Sequence, residues 1–269
     1  MKNFGFTHKT GILLPISSLP SNYGIGGFGK SAYKFIDFLK ETNQTCWQIL
    51  PLNPTSYGDS PYQSPSSLAG NPYFIDLDLL YQDKLLTKDE LKENINKSKN
   101  VDYGWLFNTR FNVLRKAFNR FVKNDDYYEF LKRSDYWLND YAKFMALKEK
   151  NNYKDWLNWD RLDVNEEDLE FWYFIQYLFD KQWNDVLKYA HDNGITIIGD
   201  MPIYVALDSV DVWMNKSDFL LDKDNYPTLV AGCPPDGFSP DGQLWGNPIY
   251  NWEKMKQDNF SWWIKRIKR

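Results

Sequence analysis

The sequence contains few cysteines and no long apolar run. Cys46 and Cys233 are the only cysteines among 269 residues, so a disulfide-rich secreted scaffold is excluded and buried free thiols are the expected state. No segment approaches the roughly 20 consecutive apolar residues of a membrane span. The first ten residues lack the apolar region of a secretion signal. We therefore predict a cytoplasmic location and no membrane partner.

Net positive charge is also lacking. Lys and Arg number 32 against 36 Asp and Glu, which leaves a formal charge of −4, and no basic stripe interrupts the chain. Proteins that bind nucleic acids usually present such a stripe. The charge pattern therefore indicates no nucleic-acid partner.

Aromatic residues, by contrast, are abundant. The chain has 12 Trp, 18 Tyr and 18 Phe, and many of them stand beside Pro, Gly, Asn and Asp. Core packing accounts for most of these rings. Aromatic side chains in loops are also typical of sugar-binding clefts, because a flat ring covers the C–H face of a pyranose while amides and carboxylates bind its hydroxyls.

One glycine-rich segment, "GIGGFGKS" at residues 24–31, fits both the dinucleotide pattern Gly-x-Gly-x-x-Gly and the P-loop pattern. In either site the glycines follow a strand directly. Here nine residues, Pro20 among them, separate Leu14 from Gly24, and the next strand, "TCWQILPL", offers no acid for a ribose. We predict a turn that leads into a helix; an ATP-dependent enzyme is the alternative, and it would be stabilised by Mg-ATP.

The hydrophobic pattern predicts an α/β fold. A strand at 11–14, a helix at 30–41 and a strand at 46–52 form one βαβ unit. A third strand is expected at 195–205, after a helix that begins at Glu166 and is stopped by Gly194.

Helices are predicted for most of residues 80–160. Thr87 and Glu90 form a capping box, Leu106 begins an apolar helical face, and Ser134 is expected to cap a further helix. One helix should close the chain from Trp252. Residues 53–74 and 222–250 read as long irregular loops, which inside compact domains are usually functional.

Two of these loops resemble a known family. The strings "PTSYGDSPYQSPSSLAGNPY" at 54–73 and "GQLWGNPIYNW" at 242–252 are similar to amylomaltase, the 4-alpha-glucanotransferase of glycoside hydrolase family 77 in the α-amylase clan. The resemblance is dense over residues 11–76 and 194–252. It implies a TIM (β/α)8 barrel that cuts an α-1,4 bond in a maltooligosaccharide and passes the new end to another glucan, by a retaining double displacement.

The resemblance also implies roles for residues of this chain. Tyr62 matches an aromatic that stacks on the scissile sugar, and Asp200 matches a supporting carboxylate at the end of the third strand. The other expected contacts with α-1,4-glucans are Tyr57, Asp59, Ser60, Phe238, Trp245 and Asn247. Gly237 stands where relatives carry a second lid aromatic, so this chain departs from the family on the acceptor side. No cofactor and no metal are implied.

Each assignment has a structural alternative. Tyr62 and Trp245 could be core rings, and Asp200 could cap the turn after its strand. A glucan-binding module without catalysis would use the same aromatic residues for docking alone.

The family's nucleophile follows an Arg-x-Asp-His string that this sequence lacks. We therefore expect the first three βα units of a barrel, truncated before the fourth strand and inactive alone. Residues 1–80 would carry strands 1 and 2, 81–165 a mostly helical insertion, and 166–269 strand 3, a lid loop and the following helix. The open barrel edge would favour self-association.

Overall fold

The computed structural model describes residues 9–268, so residues 1–8 of the first predicted segment and Arg269 of the last lie outside the described residues. The chain forms two compact units. The first comprises Met1–Leu52, Asn71–Lys123 and Tyr177–Met201, and the second comprises Asn53–Gly70, Asn124–Gln176 and Pro202–Arg269.

A three-stranded parallel sheet organises the first unit. Strands β1 (Gly11–Leu13), β2 (Cys46–Gln48) and β3 (Thr196–Ile198) lie in the order β1-β2-β3, with Gly11 aligned with Cys46 and Cys46 with Thr196. Helix α1 (Lys30–Glu41) connects β1 to β2 and buries Ala32, Ile36 and Leu39. The predicted βαβ unit and the bounds of its helix are confirmed, but β2 and β3 end at Gln48 and Ile198, short of the predicted residues 52 and 205.

The glycine-rich segment before α1 contacts the protein's own carboxylate. Gly29 is the N-cap of α1, and a Cβ atom there would lie 1.9 Å from Oδ2 of Asp76. A nucleotide site would place phosphate against this first turn. The segment is therefore a packed turn, as predicted.

Three further helices of the first unit lie between its second and third strands: α2 (Leu77–Gln82), α3 (Lys88–Glu93) and α4 (Tyr103–Phe118). Both hydrogen bonds of the predicted Thr87–Glu90 capping box are present at α3. Arg110 of α4 is buried and donates hydrogen bonds to the carbonyl oxygens of Tyr73, Ile75 and Tyr23 at 3.0 Å.

Two long helices follow, α5 (Asp125–Lys150) and α6 (Glu166–Asp192). The prediction that Ser134 begins a helix is wrong, because Asn124 caps α5 and Ser134 is buried inside it. Gly194 has φ of +77° after α6, so the predicted left-handed stop is confirmed.

The second unit ends in short elements. These are α7 (Val210–Met214), the antiparallel strands β4 (Val230–Cys233) and β5 (Gln243–Pro248), α8 (Trp252–Gln257) and α9 (Ser261–Lys268). The region expected to be an irregular loop thus contains a β-ribbon. The single closing helix is also wrong: Asn259 and Phe260 adopt positive φ angles and separate α8 from α9.

Single 3-10 turns complete the structure at Ile16–Ser18, Pro72–Phe74, Trp156–Asn158 and Lys216–Asp218. Among the helices of residues 9–268, none combines the length and the apolar character needed to cross a bilayer.

Candidate functional site

The loop at residues 53–70 is firmly held at its base. Asn53 Nδ2 donates to the carbonyl oxygens of Ser66 and Ala69 at 3.1 and 3.3 Å. The Ser66 hydroxyl oxygen accepts from the N–H groups of Leu68 and Ala69. Because side chains of the loop bond its own backbone, this segment has a defined shape without belonging to a helix or a sheet.

A buried carboxylate fixes the same base from outside. Asp211 of α7 accepts the Ser67 N–H at 2.7 Å and the Ser67 hydroxyl at 2.6 Å. Burial raises the pKa of Asp211, while the hydrogen bonds from Ser67 and the positive charge of Arg266 act in the opposite direction. Ser209 caps α7 and so sets the position from which this carboxylate points.

The end of the loop is clamped by a glutamine. Gln176 is fully buried; its Oε1 accepts the Gly70 N–H at 2.8 Å and its Nε2 donates to the Gly70 carbonyl at 2.9 Å. A side-chain amide that bonds both the N–H and the C=O of one residue replaces the two backbone hydrogen bonds that a neighbouring β-strand would supply.

The tip of the loop carries the sequence-predicted glucan contacts. Tyr57 is fully exposed, and Asp59 is exposed with φ of +59°. The Ser60 hydroxyl oxygen accepts the Tyr62 N–H at 3.2 Å, and the Tyr62 side chain is 42% exposed. The tip thus presents aromatic and polar groups on a rigid base.

A narrow cleft opens beside Tyr62. Its lining includes Pro61, Tyr62, Pro202, Tyr204, Val205 and Arg266. The Tyr204 ring lies 6.2 Å from the ring of Trp245 and is stacked on Tyr250 at 6.1 Å. The Tyr250 hydroxyl donates to the carbonyl of Ile203 at 2.8 Å. Tyr62 and Trp245 therefore border one aromatic surface within the second unit.

The ribbon β4–β5 carries the remaining predicted contacts. Trp245 is 43% exposed and its indole N–H donates to Gln243, whereas Phe238 at the ribbon tip is 97% exposed. Asp236 Oδ1 accepts the N–H groups of Phe238 and Ser239 at 2.8 Å and so shapes the tip. Apart from Gly237 itself and its two chain neighbours, no atom of the described residues would lie within 4 Å of a Cβ at Gly237.

Asn247 differs from the other predicted contacts because it is buried. Its Nδ2 donates to the carbonyl of Val205 at 2.8 Å and to Gln63 Oε1 at 3.2 Å. Its Oδ1 accepts from Gln63 Nε2 at 2.9 Å. The structure thus gives Asn247 a supporting position behind the aromatic surface.

Asp200 lies in the first unit, two residues beyond the end of β3, and is half-buried. Its convergence with Tyr62 and Trp245 stays a prediction. Across residues 9–268 the His, Cys, Asp and Glu side chains form no cluster of three that could hold a metal ion.

The chain is similar to known proteins over most of its length. A model of the 4-alpha-glucanotransferase family, glycoside hydrolase family 77, matches residues 14–269. The chain belongs to this family. A 4-alpha-glucanotransferase of Clostridium butyricum is 51% identical over 271 residues, which cover 94% of this chain and 56% of the relative. One from Streptococcus pneumoniae TIGR4 is 45% identical, with 97% and 55% covered.

Solved structures of the family have the same fold. Amylomaltase from Streptococcus agalactiae, in complex with acarbose, gives a TM-score of 0.91 at 45% identity and covers 97% of this chain and 57% of its own. Amylomaltase from Corynebacterium glutamicum gives 0.75 at 20% identity, which supports the fold alone. The family and the α/β fold implied by the sequence are thereby confirmed. This chain spans about half the length of the relatives it matches.

Sequence reasoning missed four residues of this family member's cleft and its supports: Gln63, Tyr204, Asp211 and Arg266. Gln63 is next to Tyr62 in the sequence, and Tyr204 lies in the segment that follows β3. These positions could have indicated that both residues belong to the site. Asp211 and Arg266 had none, because their partners Ser67 and Pro202 are 144 and 64 residues away.

Proposed function

We propose that this chain forms part of the glucan-binding cleft of a 4-alpha-glucanotransferase, which cuts an α-1,4 bond in a maltooligosaccharide and transfers the new end to another glucan. The observation that carries the proposal is the shared aromatic surface of Tyr62, Tyr204 and Trp245. Exposed rings on a hydrogen-bonded frame can cover sugar faces without moving. Family membership and the similarity to an amylomaltase solved with acarbose agree with this substrate class.

The chemistry proposed for the whole enzyme is a retaining double displacement. One carboxylate attacks the anomeric carbon while a carboxylic acid protonates the departing oxygen. The hydroxyl of an acceptor sugar then displaces that carboxylate from the anomeric carbon. Asp200 would support this site, without being the nucleophile. The Arg-x-Asp-His string that carries the nucleophile is not in this sequence. We therefore expect the chain by itself to bind glucan and not to transfer it.

The architecture proposed around this cleft is the first three βα units of a (β/α)8 barrel, with residues 81–165 as an insertion. The parallel order β1-β2-β3 supports it, as do the exposed apolar side chains of Leu13 on β1 and Ile198 on β3. Within the described residues β3 pairs with β2 on one side only. Self-association through this edge should appear as a concentration-dependent mass in analytical ultracentrifugation.

Binding is tested by titrating the chain with maltoheptaose in a calorimeter. Tyr62→Ala and Trp245→Ala should each weaken binding about fivefold, since a lost aromatic contact corresponds to about 1 kcal/mol. Tyr81→Ala is the matched control, because Tyr81 is exposed to 44% and belongs to the first unit. Equal affinities for all variants would contradict the assigned cleft.

Transfer is tested by incubating the purified chain with maltotriose. Unchanged maltotriose is the expected result. Longer and shorter glucans would refute the claim that the catalytic carboxylates lie outside this sequence.

A further inference from the structure

Two side-chain amides join the loop to the ribbon in a reciprocal pair. Gln63 Nε2 donates to Asn247 Oδ1 at 2.9 Å, and Asn247 Nδ2 donates back to Gln63 Oε1 at 3.2 Å. Gln63 Nε2 also donates to the main-chain carbonyl of Trp245 at 3.0 Å. A single glutamine side chain therefore holds two positions along β5.

The amide pair also contacts a third segment of the chain. Asn247 is 4% exposed and donates to the carbonyl of Val205 at 2.8 Å. Its two oxygen partners lie on the 53–70 loop and on the stretch after β3, while its own backbone belongs to β5. Because both partners are acceptors and the site is buried, the orientation of this amide is set by the protein.

Each segment in this network carries one aromatic ring of the candidate cleft. Tyr62 precedes Gln63, Tyr204 precedes Val205, and Trp245 supplies the carbonyl bound by Gln63. Each ring lies within two residues of a group in this network, so a shift of the amide pair would move all three rings. At the base of the ribbon, the Leu220 N–H donates to the carbonyl oxygen of Ile249 at 2.8 Å.

We propose that Gln63 and Asn247 are positioning residues that hold Tyr62, Tyr204 and Trp245 at the spacing needed for an α-glucan before it binds. This inference rests on the proposed function. Such preorganisation raises affinity because the loop and the ribbon need no ordering when the ligand arrives. Neither amide has to touch the sugar.

The test compares Gln63→Glu and Gln63→Ala with the wild-type chain. Glu keeps the shape of Gln63 but has no donor for Trp245 or Asn247, and Ala removes the side chain. Gln44→Glu and Gln44→Ala are the controls, since Gln44 is in the first unit and its side-chain amide donates to the carbonyl oxygen of Thr42, two residues earlier. Amide hydrogen exchange of residues 60–66 and 230–248 is measured without ligand, and maltoheptaose affinity by calorimetry.

Both Gln63 variants should exchange faster in these two segments and bind maltoheptaose roughly three- to tenfold more weakly, the effect of one or two lost hydrogen bonds. Saturating maltoheptaose should restore much of the protection, which a purely structural loss would not allow. The Gln44 variants should match the wild-type chain in both measurements.

Unchanged exchange in the Gln63 variants would overturn the inference, and so would faster exchange with undiminished affinity. If the wild-type chain binds no maltoheptaose, the proposed function fails for this chain. The exchange comparison still tests in that case whether the amide pair orders the loop and the ribbon, because it is made without glucan.

Discussion

Each unit of the molecule contains a buried arginine, and the two differ in how their donors are used. Arg110 in the first unit donates to three carbonyl oxygens, and burial lowers its pKa to about 10. Arg266 in the second unit donates to the carbonyl of Pro202, and its Nε and Nη1 find no hydrogen-bond partner among the described residues. Burial also lowers the pKa of Arg266, which Tyr250 and Asp211 partly offset.

The surroundings explain the difference. Arg110 lies where the carbonyl oxygens of Tyr23, Tyr73 and Ile75 converge. Its guanidinium supplies the hydrogen bonds that these oxygens would otherwise accept from a neighbouring β-strand. Arg266 lies over the rings of Trp262 and Trp263, at 5.2 and 5.3 Å, and lines the cleft beside Tyr62. Among the described residues, Arg110 donates to three carbonyl oxygens, whereas Arg266 donates to one carbonyl oxygen at the wall of the candidate site.

The largest expected effect separates these two arginines. Arg110→Met should lower the free energy of unfolding by about 3 kcal/mol or more, because three buried carbonyls lose their donor. Arg266→Met should lower it by about 1 kcal/mol, since one carbonyl is affected and the methionine still packs on the rings. Urea unfolding followed by tryptophan fluorescence measures both. Equal losses would remove the distinction between the two units.

A smaller loss is expected at the base of the 53–70 loop. Asp211→Ala should lower the free energy of unfolding by about 2 kcal/mol, because the Ser67 N–H and hydroxyl lose their buried acceptor. Asp211→Asn keeps one acceptor oxygen and should cost about 1 kcal/mol. The same urea titration applies, and a loss no larger for Ala than for Asn would argue against this anchoring role.

The charge of Asp211 should also appear in the pH dependence of stability. Burial raises its pKa in the folded chain above the ordinary value of 3.8, so the folded state holds the proton more tightly. The stability contributed by Asp211 therefore falls as the pH rises from about 4 to the folded pKa, and is constant above it. Relative to wild type, Asp211→Asn should gain stability across that window. A difference that does not change with pH would contradict the assignment.

The smallest change in stability is expected at the ribbon. Phe238→Ala should alter the free energy of unfolding by less than about 0.5 kcal/mol, because the ring is 97% exposed. It should nevertheless weaken maltoheptaose binding in the calorimeter if the ribbon tip covers the glucan. A stability loss above 1 kcal/mol would show that the tip packs more tightly than its exposure indicates.

Much of the first unit was predictable because its signals are local. The apolar spacing at Ala32, Ile36 and Leu39 specifies α1, and the Thr87 capping box specifies α3. The start of α5 was missed although Asn124 and two following aspartates form a good N-terminal signal, because Ser134 offered a competing one. The turn between α8 and α9 depends on positive φ at Phe260, which a bulky residue rarely adopts.

The candidate site was predictable only where a string of residues carries it. Tyr62 and Trp245 were found by resemblance to the amylomaltase family, and both border the aromatic surface. Among the residues that hold them, Asn247 was expected as a glucan contact and Gln63 and Asp211 were not found, since an amide or carboxylate reveals its partner only after folding. Gln63 meets Asn247 across 184 residues, and Asp211 meets Ser67 across 144. Residue type alone does not specify such long-range pairs.

The ribbon tip described above has a practical consequence for engineering. Phe238 contributes almost no buried surface, and a side chain at Gly237 would enter open space. The turn itself is shaped by hydrogen bonds of Asp236, Ser239 and Gly242, which involve the backbone N–H of Phe238 but not its side chain. Libraries randomised at 237 and 238 should therefore yield folded proteins in high proportion, which can then be sorted by their affinity for maltoheptaose.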